Sequence, residues 1–83
     1  MNVHSDIDQL INNGILSLEQ EKFESAIDYF DLALNKDPNN EIAHYNKAIV
    51  LEKKKRYKDA IKGYTETIRL NNKFENAFYN RGL

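Results

Sequence analysis

Apolar and small residues recur at intervals of three and four along most of the chain, the spacing of one face of an α-helix. Leu10, Ile11, Gly14, Ile15 and Leu18 predict a first helix from about residue 7 to residue 19, with Ser5 or Asp6 placed to cap its start. Phe23, Ala26, Ile27, Phe30, Ala33 and Leu34 predict a second over 23–36. The run Asp37-Pro38-Asn39-Asn40 stops it, because the residue before proline is pushed out of the helical region and Asn and Pro suit turns. A third helix is expected over 41–54, with Ala43, Ala48 and Leu51 placed for packing. A fourth is expected over 58–70, with Ala60, Ile61, Tyr64 and Ile68, and Asn71-Asn72-Lys73 ends it. A fifth begins near Glu75, and the pattern is cut at Leu83. No alternating apolar–polar stretch competes, and there is a single proline and no Gly-rich linker. The reading is all-α.

The helices repeat. A shift of 34 residues places Asn12 on Asn46, Ile15 on Ile49, Ala26 on Ala60 and Ile27 on Ile61. The next shift places Ala43 on Ala77, Tyr45 on Tyr79 and Asn46 on Asn80. Small residues fall on small ones (Gly14, Ala48, Gly82) and aromatics on aromatics (Phe23 and Tyr57, Phe30 and Tyr64). Such slots are what helix pairs need when each leaves an apolar face that only the next pair buries. Gly14, Ala26, Ala33, Ala48 and Ala60 are expected where helices of a pair approach closely, and Phe30 and Tyr64 in the gaps between units.

This frame resembles the tetratricopeptide repeat, a helix–turn–helix unit of about 34 residues with the pattern W-x₂-L-G-x₂-Y, A-x₃-F and a late proline. The first unit offers Leu10, Asn13, Gly14, Ser17, Ala26, Phe30, Ala33 and Pro38. The second offers His44, Lys47, Ala48, Leu51, Ala60 and Tyr64, and a partial third offers Phe78, Arg81 and Gly82. The resemblance implies one domain over 1–83, with repeats over 7–40 and 41–74 and the opening of a third over 75–83. It implies a right-handed superhelix of about five antiparallel helices. No unit carries the tryptophan. Asn13, Lys47 and Arg81 stand in an apolar slot, Thr67 in a small apolar one, and Asn72 where proline is usual. These departures are expected to weaken packing in the second unit. Stopping early in a third repeat suggests a piece of a longer array, or an open apolar end that pairs with another chain.

Composition narrows the function. With no cysteine there is no disulfide or thiolate chemistry. No apolar run approaches a membrane span, and Met1 to Asp8 lacks the basic and apolar regions of a secretory signal, so a cytoplasmic protein is expected. His4 and His44 are far apart, and neither HExxH nor a Gly-rich phosphate loop occurs. Ser5, Ser17 and Ser25 have no His–Asp partners in pattern. No enzyme activity, cofactor or metal site is expected. The net charge of −1 hides a split. Residues 1–41 carry nine acids and two bases, while 42–83 carry four acids and ten bases. Such a dipole is able to bring chains together head to tail.

The resemblance places the binding surface on the first helix of each unit, which lines a concave groove. Its positions fall on Asp8, Ile11, Asn12, Ile15, Leu18 and Glu19, then on Ile42, Tyr45, Asn46, Ile49, Glu52 and Lys53, then on Asn76, Tyr79, Asn80 and Leu83. Asn12, Asn46 and Asn80 form one column. An amide offers donors and an acceptor together, so the column suits an extended peptide backbone. Ile11, Tyr45 and Tyr79, with Ile15, Ile49 and Leu83, are expected to form an apolar floor. A protein or peptide partner is therefore expected. Relatives that clamp chaperone C-terminal carboxylates use basic residues where this chain has Ile11, Asn76 and Asn80, and only Asn46 matches, so no such clamp is expected. The cluster Lys53-Lys54-Lys55-Arg56 falls on an inter-helix turn without interleaved stacking aromatics, and reads as a solvated turn before a nucleic-acid site. The alternative to peptide capture is self-assembly into a homo-oligomer.

Overall fold

The structure, a computed structural model, describes the backbone of residues 3–71 and the side chains of Asp6 to Asn71. It contains four helices: α1 (Val3–Glu19), α2 (Phe23–Lys36), α3 (Glu41–Lys53) and α4 (Tyr57–Leu70). There is no strand among the described residues. The fifth helix expected near Glu75, with Asn76, Tyr79, Asn80 and Leu83, lies outside them. α1 starts earlier than its apolar pattern does, so Asp6 lies in its first turn and is not the cap. A carboxylate there still favours the helix dipole.

The helix ends have local causes. Glu21 and Lys55, equivalent residues of the two repeats, adopt left-handed φ values of 60° and 64°. Each directs the next amide back along the helix just ended, Lys22 N–H to Ser17 O at 2.8 Å and Arg56 N–H to Leu51 O at 2.8 Å. Glu21 and Lys55 themselves donate to Leu18 O and Glu52 O. This is the Schellman motif, which satisfies the last carbonyls and turns the chain sharply. Between repeats the device differs. Asn40 Oδ1 accepts from the Ala43 amide at 2.9 Å and its Nδ2 donates to Asp37, capping α3. The His44 ring nitrogen Nε2 lies 2.9 Å from Pro38 O and ties α3 to the same turn.

α1 packs on α2 and α3 on α4, while α2 and α1 both also touch α3. The larger core cluster joins Ile7 and Ile11 of α1, Ala26, Phe30 and Ala33 of α2, and Ala43 and Val50 of α3. A second joins Ala48, Leu51, Ala60 and Tyr64. Ile27 packs against both and so links the repeats. Phe30 reaches α3 through its cluster, but its nearest constraint is within its own repeat. A Cβ on Gly14 would lie 2.5 Å from the Phe30 ring, so the glycine makes the seat for the aromatic. The second repeat uses another close approach, in which a Cβ on Gly63 would lie 2.8 Å from that of Ala48.

Part of the charge split is met inside the fold. Lys47 of α3 pairs with Asp31 of α2 at 2.6 Å, and Lys54 pairs with Glu24. Acids of the first repeat thus meet bases of the second across the junction. Among the residues expected to weaken packing of the second unit, Lys47 and Thr67 are both accommodated. Lys47 is partly exposed and keeps its charge in the pair with Asp31, and Thr67 is fully buried with its hydroxyl donating to Gly63 O at 2.9 Å.

Candidate functional site

The expected groove residues lie on α1 and α3, the first helices of the two repeats, which touch each other. Asn12 is exposed on α1, and Ile15 is half-buried against the larger cluster. On α3, Ile49 and Tyr45 are half-buried against the second cluster, and Ile42 is exposed. Ile11 corrects the expectation. It is only 6% exposed, inside the core, and offers no surface to a ligand. Its counterpart Tyr45 turns toward α4, with its ring centroid 5.9 Å from that of Tyr64. Asn46 is half-buried, and its Nδ2 donates to Ile42 O one turn back at 2.9 Å. That bond orients the amide and engages one of its donors. Tyr79 and Asn80 lie outside the described residues.

Charges on this face are unbalanced. Asp8 and Glu19 are exposed and Glu52 is half-buried, against Lys53 as the base. Glu52 is fixed from below, since the hydroxyl of Tyr64 donates to its Oε1 at 2.6 Å. In the first repeat the same two slots hold Leu18 and Phe30, so the second repeat has exchanged an apolar pair for a hydrogen-bonded one. Comparing the repeats slot by slot would have exposed this double change in the sequence.

A concavity is lined by residues of α2, α3 and α4. A groove of about 510 Å³ opens between α2 and α4, with Ala48 and Gly63 at its floor and Ile27 and Leu34 along one wall. The sequence reading missed it. The available signal was Gly63, a glycine in mid-helix, at the slot that holds Tyr29 in the first repeat. Its rim is charged and partly paired, Asp31 with Lys47 and Arg56 with Asp59, while Lys62 has no ion pair among the described residues. Glu66 at the rim accepts from Arg69, and this bond holds its carboxyl below the ordinary Glu value and raises the Arg69 guanidinium.

The basic cluster does not present four free cations. Lys54 is bound to Glu24 and Arg56 to Asp59, which leaves Lys53 and Lys55 exposed without an ion pair among the described residues. Among those residues there is no group of side chains that could hold a metal ion. No helix among them is long and apolar enough to cross a membrane.

No curated protein matches the chain. The family model for the tetratricopeptide repeat matches residues 17–77, which takes in the C-terminal end of α1, all of α2 to α4 and the junction between the repeats. With two stacked helix pairs, equivalent Schellman turns and a 34-residue register, the chain belongs to the tetratricopeptide repeat family.

Proposed function

We propose that this chain is a non-catalytic interaction module that holds a peptide segment of a partner protein on the face shared by α1 and α3. Tetratricopeptide repeats generally mediate protein–protein interaction, and the family is typically non-catalytic. The observation that carries the reading is that Ile15, Ile49 and Ile42 all keep part of their surface exposed, on the same two helices as the amides of Asn12 and Asn46. Contiguous accessible apolar surface beside hydrogen-bonding groups is what an extended segment needs. Asn80 would continue the column. The test is a nuclear magnetic resonance titration with a bound peptide and the Asn46→Ala variant. Shifts at Ile15, Asn46 and Ile49, with affinity lowered by about 1–3 kcal/mol in the variant, are expected. Unchanged affinity would remove the amide column from the site.

A second reading has its own observation. Tyr57 and Ile61 of α4 are 56% and 41% exposed, whereas their counterparts Phe23 and Ile27 pack against the core. Self-association through this face is the alternative, and molar mass by light scattering at low and high salt tests it. A monomer at both salts excludes it.

A further inference from the structure

We propose, on the basis of the reading above, that the segment held on the α1/α3 face is basic as well as apolar, with Lys or Arg among its apolar side chains. Each of the four ion pairs among the described residues takes its acid from α2 or α4: Glu24, Asp31, Asp59 and Glu66. The acids of the α1/α3 face, Asp8, Glu19 and Glu52, have no base bound to them among those residues. Lys53 is the base on that face, so its charge is net negative.

Glu52 gives the preference a fixed point. The Tyr64 side chain is only 1% exposed, and its hydroxyl holds Oε1, so the carboxylate does not swing away when a ligand arrives. Its Oε2 is left without a partner among the described residues. An apolar segment laid over Ile49 would strip water from that oxygen and leave it unpaired, at a cost. A guanidinium or ammonium on the same segment removes the cost and adds a charge-assisted bond. Asp8 and Glu19, exposed on the neighbouring helix, steer the same cation toward the face and reject acidic segments. The apolar stripe supplies adhesion and the unpaired acids supply sign.

The experiment selects binders to the intact 83-residue chain from a random 12-residue peptide display library. The leading peptide is then measured by fluorescence anisotropy against Glu52→Gln, Glu19→Lys and Asp28→Lys variants. Glu52→Gln still accepts from Tyr64, and Asp28 is exposed on α2 away from the face. Selected peptides are expected to combine apolar residues with an excess of Lys and Arg. Glu19→Lys and Glu52→Gln are expected to raise the Kd by about fivefold or more, with Asp28→Lys without effect. Neutral or acidic peptides whose amide shifts still map to Ile15 and Ile49 would overturn the charge preference and leave the face as the site. Shifts confined to the α2–α4 groove around Gly63 would overturn the face itself, and a library without binders counts against both.

Discussion

Tyr64 and Glu52 are bonded at 2.6 Å across the second helix pair, where the first pair places Phe30 and Leu18. The hydroxyl and the carboxylate entered the same two slots, and neither makes sense there alone. Tyr64→Phe leaves a half-buried carboxylate oxygen without its donor, and is expected to destabilise the fold by about 1–2 kcal/mol. Combining it with Glu52→Leu recreates the apolar pair of the first repeat. The double variant is expected to be closer to the parent than Tyr64→Phe alone. Urea unfolding of the four proteins of this cycle measures the coupling, and additive effects would show that the bond carries none.

The two glycines that seat a neighbour predict opposite behaviour from ordinary helix glycines. In an open helix Gly→Ala gains about 1 kcal/mol of propensity. Here the added methyl of Gly14→Ala meets the Phe30 ring, and that of Gly63→Ala meets Ala48. Both variants are expected to lower thermal stability despite the propensity gain, Gly14→Ala more, because Phe30 is fully buried. A rise in Tm for Gly14→Ala would show that the ring moves freely out of the way.

Glu21 and Lys55 hold left-handed backbone that a side chain disfavours by about 1–2 kcal/mol. Both are exposed. Glu21→Gly and Lys55→Gly are therefore expected to stabilise the chain, each by up to about 1 kcal/mol, since glycine adopts this conformation without penalty. Denaturant midpoints read the effect directly. The two sites are equivalent, so gains of the same sign are expected.

Much of this architecture is legible in the sequence because it rests on spacing. Three- and four-residue intervals of apolar residues delimit α2 to α4 to within a residue or so, and the 34-residue shift gives the stacking. α1 is different. It extends to Val3 through residues with no apolar period, where nothing in the pattern marks a start. The site is less legible, since helical phase is coarse: Ile11 is itself one of the expected groove positions and falls inside the core. The inter-repeat pairs Lys47–Asp31 and Lys54–Glu24 are likewise invisible to periodicity, because they depend on which helices meet. That is why a charge split that reads from sequence only as an external dipole is in part a junction in the fold.

The Glu66–Arg69 pair makes a statement about pH. Hydrogen bonding from Arg69 lowers the folded-state pKa of Glu66. A lowered carboxylate contributes its stability above the unfolded-state value and loses it as pH falls through the folded one. The contribution is small because the group is solvent-screened. The titration itself is the clean readout. Carboxyl carbon shifts are expected to show Glu66 titrating below the ordinary glutamate value, and Arg69→Gln is expected to raise it. No change in the variant would remove Arg69 as the cause.

The repeat junction offers a test of what its charges do. Lys47 and Asp31 are both partly exposed, and a pair of that kind contributes about 0–1 kcal/mol. Removing it should therefore matter little, while reversing one member should matter more. Asp31→Lys sets like charges together beneath the α2–α4 groove and is expected to cost about 1 kcal/mol, more at low salt than at high. Lys47→Asp alone is expected to behave similarly. The double reversal restores an opposite pair in the same place, and its stability is expected to return toward the parent. Urea midpoints of the four proteins at two salt concentrations decide the matter. A double variant as weak as the sum of the singles would mean that Lys47 serves the junction through its aliphatic stem at the groove rim, with its charge incidental.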